Sequence, residues 1–255
     1  MEWIDTHTHL FAEQFQEDLN QVIARARQNK VQYCLLPNIN QKSMNDVLMI
    51  CTEFPFCLPM LGLHPCEVGH EFKKELTAIE KRIEQETIYG IGEVGIDLYW
   101  DDQYKREQIE ALQIQCRWAF ELDLPISIHC RNSMDLVLDL IENLPFQVKG
   151  VFHCFTGNTE QLFRIQQLNM LIGLGGVLTF KKNKSLRETV QQTDPAMVVL
   201  ETDAPYLSPH PLRGRRNEPS NIPIIGECLA DLWNLSLKDI AEISTRNAKT
   251  IFDLP

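Results

Sequence analysis

Two histidines near the start of the chain, His7 and His9, are separated by a single residue. On a β-strand, alternate residues point to the same side, so both imidazoles would face one point in space. Neutral imidazole is the commonest metal ligand among protein side chains, and such a pair suits Zn, Mn or Fe better than Ca. Two ordinary polar residues at a strand end would show the same spacing. The pair therefore indicates a metal site only if other parts of the chain supply further ligands.

Later parts of the chain do offer such ligands, each within or directly after a mostly apolar segment. With the first pair they are His7, His9, Glu93, His129, His153 and Asp203, which we call the six candidate ligands. Any one of them alone also fits a satisfied core histidine or a carboxylate paired with an arginine. If all six meet, burying imidazoles beside carboxylates without a metal ion would bring no gain. The set suits two divalent ions, with Glu93 as a bridge because its carboxylate has two oxygens.

The elements that must position these residues are predicted from the spacing of apolar residues, which alternates between strand-like and helical periods. Eight strands are predicted, at residues 3–10, 33–39, 56–64, 88–95, 125–130, 148–154, 170–175 and 197–202. Helices are predicted between them, then near residues 222–232 and from residue 236 onward. Ser43 is the predicted N-cap of the second helix, and Ser236 with Asp239 resembles a capping box at the start of the last helix.

This order of elements predicts an α/β fold. The most economical form is a single (β/α)8 TIM barrel with an extra C-terminal helix, and a doubly wound open sheet is the second choice. The 255 residues, 44% of them hydrophobic, are predicted to form one hydrolase domain over residues 1–255. In a barrel the catalytic groups lie at the C-terminal ends of the strands, which is where the six candidate ligands fall.

The alternation of strand residues also sorts the neighbours of the ligands. If His129 points into the barrel mouth, Arg131 does so as well, whereas Cys130 points outward. We expect Cys130 and Cys154 to be structural thiols, since free cysteine is usually a small buried hydrophobe. Glu201 is expected on the same side as Asp203.

The composition indicates the compartment and the kinds of partner to expect for the protein. Eight cysteines without any Cys-x-x-Cys pair favour reduced thiols over a zinc ribbon or a redox motif. The sequence shows no signal-like start and no apolar run long enough to cross a bilayer, so we expect a cytoplasmic protein without a membrane partner. A net charge of −11 argues against binding nucleic acid over the whole surface, but a local basic patch is compatible with it.

Seven short segments carry the candidate ligands and their neighbours, in order through essentially the whole chain. They are IDTHTH (residues 4–9), GLHP (62–65), GEVGID (92–97), HCR (129–131), HCFTG (153–157), ETDAPYL (201–207) and RRNEP (215–219). Together they resemble the TatD-like family of metal-dependent nucleases in the amidohydrolase superfamily. The resemblance implies a distorted TIM barrel with a dinuclear site. It implies that one ion is held by His7, His9 and Asp203, the other by His129 and His153, and that Glu93 bridges them.

Two divalent ions (Mg, Mn or Zn) held in this way can generate hydroxide near neutral pH and hold the oxygens of a phosphate during in-line displacement. We hypothesise that the hydroxide attacks the phosphorus of a phosphodiester. Asp203 accepts or relays its proton, and Glu93 is the second catalytic residue. His64 and Arg131 are expected to bind the non-bridging oxygens of the substrate.

Two further carboxylates are expected to orient the ligands without binding the metal ions themselves. Glu201 would form a hydrogen bond to a ligand histidine, and Asp5, on the same side of the first strand as His7, would orient a ligand. After the fourth strand, Tyr99 and Trp100 either stack an unpaired base or pack their loop against the barrel rim, and the sequence leaves both alternatives open.

Basic residues concentrate in the two predicted loops after the seventh and eighth strands. These are Lys181, Lys182, Lys184, Arg213, Arg215 and Arg216. They predict a local positive funnel toward the metal ions, with Arg215 and Arg216 binding substrate, although a merely solvated rim would have the same composition.

The resemblance and the basic loops predict a metal-dependent nuclease, specifically a 3′-5′ exodeoxyribonuclease that acts on single-stranded DNA as a monomer without an obligatory protein partner. An amidohydrolase or small-ester hydrolase that uses the same dinuclear site is the alternative, because such a site also attacks carbonyl carbon. A non-enzymatic binding protein on the same barrel is the third reading, and it would hold no metal.

Overall fold

Parallel strands alternate with helices along the computed structural model, which describes residues 1–100 and 102–254. The predicted domain also includes Asp101 and Pro255, which lie outside the described residues. The strands are β1 (Trp3–Asp5), β2 (Val31–Pro37), β3 (Cys57–Met60), β4 (Ile91–Asp97), β5 (Ile126–Arg131), β6 (Gly150–Phe152), β7 (Leu171–Leu174) and β8 (Val198–Leu200).

Helices follow the strands and form the outer layer. They are α1 (Leu19–Gln28), α2 (Gln41–Glu53), α3 (Phe72–Ile83), α4 (Lys105–Glu121), α5 (Met134–Glu142), α6 (Thr159–Gln167), α7 (Lys184–Gln191), α8 (Ile222–Trp233) and α9 (Leu237–Phe252). None of these described helices combines the length and the apolar content that crossing a bilayer requires.

The strands lie side by side in sequential order, in one sheet from β1 to β3 and a second from β4 to β8. Single bridges join the two sheets at both edges, from Leu61 to Ile91 and from Thr8 to Ala204. A doubly wound sheet would instead change direction at a switch point. The α/β prediction is confirmed, and the eight strands follow one another around a ring whose regular pairing is interrupted twice.

The interior of this ring is apolar and reaches the extra C-terminal helix. Ile4 of β1, Leu35 of β2 and Val199 of β8 pack into one buried cluster with Phe252, the last residue of α9. The same cluster contains Leu58 of β3 and Val151 of β6, and side chains from strands so far apart in the ring share one cluster only if they point inward. The predicted C-terminal helix therefore completes the core as well as extending the chain.

Some predicted boundaries and caps differ from those in the structure. The N-cap of α2 is Asn40, and Ser43 occupies the third helical position, where its side chain completes the capping box. The predicted box of Ser236 and Asp239 is confirmed at the start of α9. The strand predicted to span residues 3–10 ends at Asp5, because the backbone of His7 bonds to the Asp5 carboxylate and to Asp203, and that of His9 bonds to Ala204.

We predict that Phe252→Ala destabilises the protein by about 3–5 kcal/mol, because it removes a large side chain from a filled core. Phe252 is only 2% exposed. Urea unfolding measures the change. Phe163→Ala is the matched control, since Phe163 on α6 is 59% exposed, and it should shift the free energy of unfolding by less than about 0.5 kcal/mol. Equal effects of both substitutions would contradict a core role for α9.

Candidate metal centre

All six candidate ligands meet at the C-terminal ends of the strands, around the carboxylate of Glu93. One oxygen, Oε2, lies 3.2 Å from His7 Nε2 and 3.5 Å from His9 Nε2. The other, Oε1, lies 2.8 Å from His129 Nδ1 and 3.0 Å from His153 Nε2. Each oxygen of one buried carboxylate thus faces a different pair of imidazoles.

Asp203 joins the pair on the Oε2 side. Its Oδ1 lies 3.3 Å from His9 Nε2. It also approaches the other half, because ligand atoms of His7, His153 and Asp203 all lie within 4.8 Å of one another. The rings of His7 and His153 stack at 3.8 Å between centroids, so the two halves of the centre are in direct contact.

Three of the imidazoles have a polar partner on the side away from Glu93. His7 Nδ1 lies 3.1 Å from the hydroxyl of Ser127, and His129 Nε2 lies 3.0 Å from Asp97 Oδ2. An outer nitrogen that donates a proton to such a partner leaves the inner nitrogen with a free lone pair. That is the form in which imidazole binds a metal ion.

His153 has its outer partner in Glu201, whose Oε1 lies 3.3 Å from Nδ1. The same oxygen accepts a hydrogen bond from the backbone N–H of Cys154 at 2.5 Å. The contact between Glu201 and His153 has the distance of an ion pair but not the geometry of the expected hydrogen bond. Sequence reasoning assigned no supporting role to Asp97 or Ser127. Both stand at even spacing from a ligand, Asp97 four residues after Glu93 and Ser127 two before His129, so strand alternation was the available signal.

His64 lies in the same cluster but has the opposite proton arrangement. Its Nδ1 accepts a hydrogen bond from the backbone N–H of Cys66 at 3.0 Å. In the neutral ring the proton must then be on Nε2, which lies 3.4 Å from Glu93 Oε1. The inner nitrogen of His64 is therefore a donor, which suits contact with an oxygen better than contact with a cation.

Asp5 acts on the backbone of the site and contacts no ligand imidazole among the described residues. Its carboxylate accepts hydrogen bonds from the backbone and the hydroxyl of Thr202 at 2.8 and 2.5 Å, and from the backbone of His7 at 3.4 Å. Burial raises the pKa of Asp5 to about 8 in spite of these donors. The residue thereby ties the end of β1 to the end of β8, the two chain segments that carry His7 and Asp203.

Two glycines give the strands room beside the ligands. A Cβ on Gly95 would collide with the carbonyl oxygen of His129, its partner in the parallel register, and Gly95 has a φ of 148°. A Cβ on Gly173 would collide with the carboxylate of Glu201. Larger residues at either position would displace a ligand or its support.

The backbone leaves the regular strand conformation at two positions in the site. Cys154 and Asp203 have φ values of 47° and 55°, in the left-handed region that non-glycine residues seldom adopt. Strand alternation therefore ends before these residues. Cys154 is half-buried, as is Cys130, and burial raises the pKa of both thiols well above the usual range, so both are protonated.

The buried carboxylates of the site favour positive charge on the groups around them. Burial alone would raise the pKa of Glu93, but the imidazoles of His64, His153 and His7 hold it well below its usual range. Burial lowers the pKa of His153, yet Glu93 and Glu201 raise it well above the ordinary value. A divalent cation would supply the same compensating charge. The donor set therefore fits a metal ion.

Sequence and structure comparisons agree with this geometry. The family model described as TatD related DNase matches residues 4–253. The chain belongs to this family. The metal-dependent hydrolase YabD of Bacillus subtilis is 36% identical over 249 residues, which cover 97% of this chain and 98% of YabD. The Salmonella typhimurium protein named 3′-5′ ssDNA/RNA exonuclease TatD is 32% identical over 257 residues, covering 98% of each chain.

Among solved structures, YjjV, a TatD homologue of Escherichia coli K12, matches with a TM-score of 0.92 at 29% identity, covering 99% of this chain and 98% of that chain. The TatD-like resemblance is therefore confirmed, and the protein is a metal-dependent hydrolase. Among the described residues, two of the clusters suited to a metal ion consist of candidate ligands alone, His7 with His153 and Asp203 and His7 with His9 and Glu93, and a third joins Glu93 and His129 with His64.

The predicted substrate-binding residues divide into two groups. His64 lies at the centre, and exposed Arg131 lies two residues beyond His129 on β5. Arg215 is exposed and forms no side-chain ion pair with any described residue. Arg216 is instead engaged, at 2.7 Å from Asp18 and 3.0 Å from Glu218.

These contacts favour a structural role for Arg216 over the predicted contact with substrate. Glu218 also binds Arg25 of α1 at 2.7 Å, so the four side chains form a closed network that ties the chain before α8 to α1. A guanidinium with two carboxylate partners is not available to a phosphate. The sequence motif signalled the arginine, but Asp18 lies 198 residues away along the chain and had no local signal.

We predict that Asp97→Asn weakens divalent-metal binding about ten- to hundredfold, because it removes the charged acceptor that orients His129. Competition with a chromogenic chelator measures this affinity. Asp46→Asn, an exposed aspartate on α2, is the control and should leave the affinity unchanged. Unaltered affinity in Asp97→Asn would show that His129 does not depend on this partner.

Proposed function

We propose that this TatD-family hydrolase cleaves phosphodiester bonds of nucleic acid with two divalent ions (Mg, Mn or Zn), one on each side of Glu93. The observation that carries the proposal is the division of the Glu93 oxygens between two pairs of imidazoles. His7, His9 and Asp203 serve one ion, and His129 and His153 serve the other. The Salmonella relative is named as an exonuclease of single-stranded DNA and RNA, which supports 3′-5′ cleavage of single strands here.

Divalent ions held at this centre would lower the pKa of water and neutralise charge that develops on phosphate oxygens. Asp203 then accepts the proton of the attacking water. Burial raises the pKa of Asp203, but the hydrogen bond from His9 and the neighbouring imidazoles lower it below the ordinary value. The side chain is therefore a carboxylate, ready to take up a proton.

The phosphate itself is positioned by donors around the centre. His64 presents its Nε2 proton toward the same space as Glu93 Oε1. Arg131, held over the ring of Tyr99 at 3.6 Å, carries a full positive charge at the edge of that space. Together the two side chains would hold the non-bridging oxygens of the scissile phosphate while the proton moves to Asp203.

The basic loops favour a polyanion over an amide or small ester as substrate. Lys181, Lys182 and Arg215 are exposed. The two loops also contact each other, since Arg213 lies 4.5 Å above the ring of Phe180. A small neutral substrate would gain nothing from this positive rim, whereas a nucleic acid backbone gains at each phosphate. The net charge of −11 for the whole chain confines such binding to the site.

The proposal places the protein in the cytoplasm, as a monomer that needs no protein partner. Its eight cysteines are all free, and several are deeply buried, in agreement with a reducing compartment. Size-exclusion chromatography with light scattering tests the monomer: a mass near 29.5 kDa is expected, and a stable dimer would contradict it.

We predict that Asp203→Asn lowers kcat on a single-stranded oligonucleotide by at least about a hundredfold, because the amide cannot take up the proton. Far-ultraviolet circular dichroism should be unchanged, and Asp46→Asn serves as the control with full activity. Wild-type turnover in Asp203→Asn would remove the residue from the mechanism.

The neighbouring arginines give a second test of substrate class. Arg215→Glu should lower kcat/KM for oligonucleotides about tenfold, while a small chromogenic phosphodiester changes less than about twofold, because only the longer substrate reaches the rim. Arg216→Glu should instead lower Tm by about 4 °C or more, since it places a third carboxylate beside Asp18 and Glu218. Equal losses on both substrates in Arg215→Glu would contradict the positive rim.

A further inference from the structure

Two large aromatic side chains stand exposed directly beyond β4. Tyr99 is 50% exposed and Trp100 is 74% exposed. The alternative in which both pack their loop against the barrel rim does not hold for Trp100. An indole with so much apolar area exposed to water contributes little to the stability of the fold. Its exposure therefore points to a role in binding.

This pair is attached to the metal centre through Asp97. The carboxylate of Asp97 accepts a hydrogen bond from the backbone N–H of Tyr99 at 2.9 Å, and its other oxygen lies 3.0 Å from His129 Nε2. Only two residues therefore separate the orienting partner of a candidate ligand from the exposed rings. The pair lies at the edge of the space where the scissile phosphate is bound.

Arg131 holds the pair in place from the adjacent strand. Its guanidinium carbon lies 3.6 Å from the ring centroid of Tyr99 and 5.4 Å from that of Trp100. The two rings meet edge to face, with centroids 4.9 Å apart and planes at 86°. Arg131 thus covers one face of Tyr99, and the indole of Trp100 stays open to the solvent.

We propose that Trp100 is the stacking platform for an unpaired base of the nucleotide next to the scissile phosphate, with Arg131 and Tyr99 fixing its position. This inference rests on the proposed nuclease function and adds a specificity residue to it. An exposed indole face beside a guanidinium matches the two parts of a nucleotide, the base and its phosphate. In a duplex both faces of each base are already stacked on neighbours, so the platform selects single strands.

The test uses single-stranded oligonucleotides that carry one abasic residue at each of the first three positions from the cleaved end. For the wild-type holoenzyme, one abasic position should lower kcat/KM about tenfold, the size of one lost base stack. Trp100→Ala should lower kcat/KM for the intact strand by a similar factor and show no further loss at that position. Trp100→Phe should keep most of the activity, because the aromatic face remains.

Phe163→Ala, which removes another exposed aromatic ring, 59% exposed on α6, is the matched control and should behave as wild type throughout. An abasic penalty that persists undiminished in Trp100→Ala would overturn the platform while leaving the nuclease function intact. Failure of the wild-type enzyme to cleave any intact strand would overturn the nuclease function, and the platform with it.

Discussion

The interaction on which the structure depends is the burial of one carboxylate, Glu93, among imidazoles from four different segments. Such a group is tolerated only when positive charge or donors face both of its oxygens. Divalent ions at the centre would meet this demand, and the outer partners Ser127 and Asp97 would keep the inner nitrogens of His7 and His129 free to bind them. The backbone N–H of Cys66 makes the inner nitrogen of His64 a donor instead. Under the proposed function, one cluster thus provides both the metal ligands and a substrate contact.

The same demand explains where the barrel departs from regular pairing. At the closing edge, Asp203 N donates to His7 O at 2.9 Å and His9 N donates to Ala204 O at 2.7 Å, so the residues that join the sheets also carry candidate ligands. Asp5 replaces ladder bonds with side-chain bonds to the chain after β8. Local irregularity at this edge turns three ligands toward Glu93, while the apolar cluster closed by α9 stabilises the ring from within.

Much of this could be predicted from the sequence, because apolar periodicity reports strands and helices, and the ends of parallel strands share one edge. All eight strands and the meeting of the six candidate ligands were predictable on that basis. The ion pair of Arg216 with Asp18 was not, since a contact across 198 residues leaves no local pattern. The proton arrangement of His64 depends on a backbone contact that only three-dimensional structure displays. The side-chain alternation expected of a strand also does not hold at Cys154, because its backbone adopts the left-handed conformation.

The central claim is that two divalent ions, divided by Glu93, carry out phosphodiester cleavage. It is tested most directly by stripping the protein with a chelator and adding Mn²⁺ stepwise, while following cleavage of single-stranded oligonucleotides labelled at the 5′ or the 3′ end. The account predicts no cleavage by the metal-free protein, activity that rises until about two equivalents are bound, and immediate loss of the 3′ label. Full cleavage without metal, or saturation at one equivalent, would contradict it.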